Sequence, residues 1–196
     1  MDKTGLPKVL YENGSILQKM LLDFMDKDVH KIVVNEKKVA DKVEQEMEKM
    51  QHKKNTIPLE LEENIWDRYG LDKQIEKIQD RKIWLNCGGF ITIDKTEALT
   101  AIDVNSGKYT GRKNLEETVL KVNEEASKEI AKQLRLRDIG GIIMIDFIDM
   151  QEEESRRKIV QLLEESLKED RSKTQIVEFT KLSLLEMTRK HIWNHP

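Results

Sequence analysis

Two carboxylates in this chain stand where a carboxylate is costly. Asp103 follows the run Ala98-Leu99-Thr100-Ala101-Ile102, and Asp146 follows Ile142-Ile143-Met144-Ile145. Each emerges from an apolar, β-branched strand, where burial without a partner charge is unfavourable. Ligands also gather at the carboxyl ends of strands in sheets covered by helices. Two such carboxylates on neighbouring strands can hold Mg²⁺ while leaving positions for water and a phosphate oxygen. That is equipment for metal-assisted phosphodiester hydrolysis, in which the cation polarises the phosphoryl oxygen and orients the attacking water. The competing explanation is that an Asp at a strand end caps a helix or forms a turn. Asp149 is a rival to Asp146, but their odd separation sends them to opposite faces of a strand. Asp149 reads instead as a cap for the helix that follows.

A second candidate feature is the segment Asn105-Ser106-Gly107-Lys108-Tyr109-Thr110-Gly111-Arg112-Lys113. It carries cations and no acid. Its glycines allow close backbone approach, and Tyr109 is of the type that stacks on a base. Lys108, Arg112 and Lys113 are the corresponding phosphate contacts, unless the segment is simply a solvated loop. Arg135 with Arg137, and Arg156-Arg157-Lys158, are further basic clusters, of a kind that is usually a solvated helix face. His191 and His195 have the spacing of a helical metal pair, without a third ligand nearby. Cys87 reads as a small apolar residue beside a turn.

The elements that must position these residues are legible from periodicity. Ser15 can cap a helix with Ile16, Met20, Leu21 and Phe24 on its inner face. Lys31-Ile32-Val33-Val34 reads as a short buried strand. Glu36 to about His52 reads as a helix with Val39, Val43, Met47 and Met50 inward. Leu59 to Ile78 reads as one or two short helices around Gly70. Ile83–Leu85, Phe90–Asp94 and Ala98–Val104 suggest a strand meander turning at Gly88-Gly89. A long helix runs from Asn114, with Glu117 completing a capping box, to about Arg137, and Gly140-Gly141 ends it. Ile142–Ile148 reads as a central strand covered on both faces. A helix starting at Glu152-Glu153-Glu154 runs to about Asp170. Gln175–Phe179 reads as a strand, and a final helix begins near Leu182. The fold class expected is mixed α/β, a mixed β-sheet covered by helices over residues 81–196, preceded by a smaller α/β segment over 1–80.

Composition bounds the partners. The chain has 196 residues, 36% of them charged and 38% hydrophobic, so a core can form among solvated amphipathic helices. A net charge of -3 provides no global basic field, so any nucleic-acid contact must be local. One cysteine excludes an internal disulfide and a paired-cysteine zinc site. No apolar run has the length of a membrane span, and no signal peptide is visible, so the expected location is the cytoplasm.

The stretch from Gly88 to Ser106 closely resembles the signature of the ribonuclease E/G family. So do Asn114–Thr118, Glu129–Met150 and Leu184–Arg189. The resemblance runs over most of residues 81–191 and more weakly upstream, through Leu6-Pro7 and Asp28 to Val39. It implies that 81–196 is a DNase I-like catalytic subdomain and 1–80 part of an RNase H-like subdomain. It places the family's metal-binding aspartates on Asp103 and Asp146, and its phosphate-assisting asparagine on Asn105. Lys173 stands for a basic residue after the last acidic helix. The implied activity is internal hydrolysis of single-stranded, AU-rich RNA in RNA processing and decay. It would use Mg²⁺, with Mn²⁺ as a substitute, and leave a 5′-phosphate and a 3′-hydroxyl. The family's S1 domain and 5′-phosphate sensor have no counterpart in residues 1–80, and its zinc link has none in a chain with one cysteine. A monomer or homodimer is therefore expected rather than a zinc-linked tetramer, and the chain reads as a piece of a longer protein or a naturally short relative. The alternative function is an RNA-binding module with weak turnover, lacking the S1 and 5′-sensor parts.

Overall fold

A computed structural model describes residues 16–25, 29–49, 57–107 and 115–192. The chain divides into two compact units, Met1–Lys73 and Gln74–Pro196.

The first unit contains α1 (Ile16–Phe24), β1 (Ile32–Val34), α2 (Lys37–Lys49), β2 (Leu59–Leu61) and α3 (Ile65–Tyr69). β1 and β2 pair in parallel, with Ile32 opposite Leu59. Leu21, Val34 and Val43 are the buried centre, flanked by Leu17, Met25, Val39 and Met47. Ile16, Met20 and Phe24 are exposed, contrary to the inward face expected for them. The helix is apolar at most positions, so its pattern admits more than one inner face, and packing selects Leu17 and Leu21. The β2 strand is an addition to the helices expected in that region. Ser15 and Met50 lie outside the described residues. A further helix, α4 (Leu71–Gln79), runs across the division between the units.

The second unit is built on a six-stranded sheet. Its elements are β3 (Lys82–Trp84), β4 (Phe90–Lys95), β5 (Leu99–Asn105), α5 (Leu115–Leu136), β6 (Gly141–Asp146), α6 (Glu153–Leu167), β7 (Thr174–Phe179) and β8 (Leu184–Arg189). The spatial order is β3-β4-β5-β6-β8-β7. The meander β3-β4-β5 forms as expected. β5 and β6 are parallel, joined through α5, and the other neighbours are antiparallel.

Alternation decides the layering. Ile91, Ile93, Ile102, Val104, Ile143, Ile145, Leu185 and Met187 point to one face and are buried. Val119, Val122, Ala126 and Ile130 of α5, at helical spacing, pack there together with Ile159 and Leu163 of α6. The residues of the opposite face are exposed or half-buried, and within this unit no helix among the described residues packs on it. β6 was expected to be covered on both sides, yet Ile142 is 52% exposed. Continuous apolar character fits a doubly covered strand, but among the described residues of this unit only one face of the sheet carries helices.

Two further expectations are corrected. α5 ends before the glycine pair: Asp138 takes the left-handed position at φ 44°, and Ile139 N–H returns to Leu134 O at 3.0 Å. The last element is a strand, not a helix. Leu184–Arg189 contains good helix formers, but it fits between β6 and β7 with Leu185, Met187 and Arg189 buried. Pairing on both edges overrides a propensity of a few tenths of a kcal/mol per residue, about the range separating these residue types.

Candidate active site

The parallel register of β5 and β6 sets Asp103 directly beside Asp146. Adjacent strands lie about 4.8 Å apart, and paired residues share a face. Ile102, Val104 and Ile145 point into the core, so both aspartates project from the open face. Asn105, two positions beyond Asp103, projects the same way, and its Nδ2 donates to Asp103 Oδ2 at 2.5 Å. The Asp146 carboxyl is pushed above its ordinary range, first by partial desolvation and then by the negative charges of Asp103 and Asp149. Two carboxylates held this close repel, and a cation between them would remove the repulsion. Among the described residues no group of three or more His, Cys, Asp and Glu side chains gathers into a metal cluster. A pair of carboxylates on an accessible face is nevertheless the donor set that Mg²⁺ uses with water and substrate oxygens.

The end of β5 is fixed by a close approach. A Cβ on Gly89 would lie 2.8 Å from Asn105 O and 2.8 Å from Val122 Cγ1. The turn before β4 therefore packs on the Asn105 backbone only because residue 89 lacks a side chain.

The segment after β6 is fixed by Asn123, which is fully buried on α5. Its Nδ2 donates to Ile148 O at 2.9 Å, and its Oδ1 accepts from Ile148 N–H at 3.1 Å. This residue escaped the sequence reading. The signal available was an amide on the apolar face of α5, at the position four after Val119. Asn123→Ala leaves both Ile148 groups without their partner. It should cost roughly 2–4 kcal/mol, read by urea unfolding, with faster amide exchange at Ile148.

Asp149 does not cap α6. The cap position is Glu152, and the N–H groups of Gln151 and Glu152 donate to the Glu116 carboxylate of α5 at 3.3 and 3.4 Å. Lys108, Tyr109, Arg112, Lys113 and the capping Asn114 lie outside the described residues. Lys173 is exposed immediately before β7. Thr174 pairs with Arg189, which pairs with Gly141, so Lys173 stands at the opposite end of the sheet from Asp146.

The basic clusters on the helices are engaged within the chain. Arg135 donates to Ser166 O and to Glu169, and Arg137 to Gln133 and Asp80 O. Arg156 donates to Met150 O, Arg157 faces Glu153, and Lys158 pairs with Glu124. His191 follows a strand rather than sitting on a helix, and its Nδ1 lies 2.9 Å from Asp138 O. His195 is outside the described residues. Cys87 is partly buried against the core, and burial pushes its thiol pKa up.

The model of the Ribonuclease E/G family matches residues 1–192. Ribonuclease G of Salmonella typhimurium (strain SL1344) is 39% identical over 97% of this chain and 40% of its own length. Ribonuclease G of Escherichia coli (strain K12) is 38% identical over 92% of this chain and 37% of its own length. Ribonuclease E of the same strain is 35% identical over 95% of this chain and 18% of its own length. The chain thus spans two fifths or less of the length of these relatives.

Proposed function

The chain belongs to the ribonuclease E/G family, and from that premise we propose that its second unit cleaves single-stranded RNA internally, with Asp103 and Asp146 holding Mg²⁺ or Mn²⁺. The observation that carries this reading is the register that puts the two aspartates, both exposed, side by side on one face of the sheet. When bound, the cation supplies Lewis acidity at the scissile phosphate and orients a water.

The chain's own residues do the positioning. Parallel pairing fixes the spacing of the two carboxylates without loop motion, because both belong to regular strands. The open face admits a flexible polyanion, which a buried pair would exclude. Asn105 is tethered to Asp103 through one amide hydrogen, and an amide has a second N–H that can reach a phosphate oxygen beside the pair. Hydrolysis breaks the bond between phosphorus and the 3′ oxygen and leaves a 5′-phosphate and a 3′-hydroxyl. Lys108, Arg112 and Lys113, which follow Asn105 in sequence, are read as phosphate contacts and Tyr109 as a stacking residue. Lys173 could reach only a distant part of the strand. We assign residues 81–196 to the DNase I-like subdomain and 1–80 to part of the RNase H-like one. Among the described residues no helix is long and apolar enough to cross a membrane.

The test is incubation of a 5′-labelled AU-rich RNA, and of the same sequence as DNA, with Mg²⁺ or with EDTA. Internal cuts in RNA alone, only with Mg²⁺, are expected. RNA bound but left whole would favour a binding module, and equal cutting of DNA would refute the substrate class.

A further inference from the structure

The open face carries an aromatic feature that the metal pair does not explain. Trp84 on β3 is 63% exposed. It lies directly opposite Phe90 on β4, and Phe90 lies directly opposite Asn105 on β5. Cross-strand partners share a face, so Trp84, Phe90, Asn105 and Asp103 all project to the same side. The two rings form an edge-to-face pair at 5.3 Å and 62°. Lys82, opposite Thr92 and in the same row as Asp103, places its ammonium 4.1 Å from the Trp84 ring centroid and 3.6 Å from that of Phe90.

We propose that Trp84 and Phe90, with Lys82, form a stacking platform for a base of the RNA strand beside the nucleotide whose phosphate sits at Asp103 and Asp146. The inference rests on the reading of that pair as an RNA-cleaving site. Two strand spacings, roughly 10 Å, separate β3 from β5, within reach of a neighbouring nucleotide on a strand laid across the face. The occupant follows from chemistry. A flat exposed indole takes any base by its π-face, and an adjacent cation suits the phosphate that comes with it. Lys82 matters here because this face otherwise carries Asp94, Asp103, Asp146 and Glu186. Arg81 already offsets Asp94 through a two-point ion pair. A purely structural cross-strand pair would stabilise the hairpin equally well with its rings covered, and would not need a tryptophan left mostly in water.

Binding can be separated from cleavage. The full chain carrying Asp103→Asn and Asp146→Asn, with Trp66→Phe and Trp193→Phe, leaves Trp84 as the sole tryptophan reporter. Titration with an AU-rich single-stranded RNA, monitored by Trp84 fluorescence and by anisotropy of labelled RNA, should quench Trp84 in step with binding. Duplex RNA of the same sequence should not quench it. Trp84→Ala should weaken binding about fivefold to a hundredfold, Trp84→Tyr should restore most of it, and neither should lower Tm appreciably. Three outcomes overturn the platform. RNA binds without changing Trp84 emission, or Trp84→Ala binds as tightly as its parent, or Trp84 becomes buried with rising protein concentration in the absence of RNA. Quenching and an affinity loss in this variant, beside a wild-type chain that does not cut the same RNA with Mg²⁺, would leave the platform standing and sink the catalytic reading instead.

Discussion

Arg189→Ala should lower the stability of the second unit by about 3–5 kcal/mol, the cost of leaving a buried charge unpaired, with a fall of roughly 10–20 °C in Tm. Arg189 lies on β8 and its side chain is fully buried. Nε donates to Asp170 Oδ2 at 2.7 Å and Nη2 to Asp170 Oδ1 at 3.2 Å, a two-point clamp on a carboxylate that is itself fully buried. Nη1 donates to Asp138 Oδ1 at 2.8 Å and Ile139 O at 2.9 Å. Burial works against the guanidinium charge, but its hydrogen bonds to Asp170 and Asp138 outweigh it and hold the Arg189 pKa above its ordinary value. One side chain thus ties the end of β8 to the turn after α5 and the turn after α6. Arg189→Lys keeps the charge but loses the fork, and should fall between wild type and alanine. Urea and thermal unfolding check this. A loss under about 1 kcal/mol would mean that Asp170 escapes to water when its partner is removed.

Asp103→Asn and Asp146→Asn should each reduce RNA cleavage by on the order of 10²–10³-fold or more, the scale of losing one group that stabilises charge in the transition state. The double variant should be little worse than either single, because the pair acts as a unit. The same changes should not destabilise the fold. Both residues are exposed, and Asp146 is already disfavoured by desolvation and by repulsion from Asp103 and Asp149. Removing one charge relieves that repulsion, so Tm without a divalent cation should hold or rise. Adding Mg²⁺ should raise the Tm of the wild type and not of the variants. Loss of activity through unfolding would show the opposite pattern, a lower Tm in the absence of the cation. Thermal melts run beside the cleavage assay separate the two.

The positions of Asp103 and Asp146 are readable from sequence because both sit at the carboxyl ends of β-branched runs, where period-two alternation leaves few choices of face. Their direct pairing is not readable, since the register of β5 on β6 is set by core packing across the intervening α5. The core stripe of α5 is readable for the same periodic reason. β8 is not: Leu184-Leu185-Glu186-Met187 has the composition of a helix, and only the vacant edges of β6 and β7 make it a strand. The open face is hidden as well, because Ile142 and Met144 look like core in a run that alternates only in its surroundings. Asn123 and the Trp84–Phe90 pair are missed for a related reason. Each acts on residues remote in sequence, Ile148 in one case and the β5 edge in the other, and local pattern carries no information about such partners.

The most direct test that Asp103 and Asp146 hold a divalent cation is paramagnetic line broadening of the backbone amide resonances during titration with Mn²⁺. Broadening should begin at Asp103, Val104, Asn105 and Asp146, be displaced by Mg²⁺, and vanish in the variant carrying both Asp103→Asn and Asp146→Asn. Broadening centred elsewhere, such as the acidic first turn of α6, or broadening unchanged in that variant, would contradict the metal site.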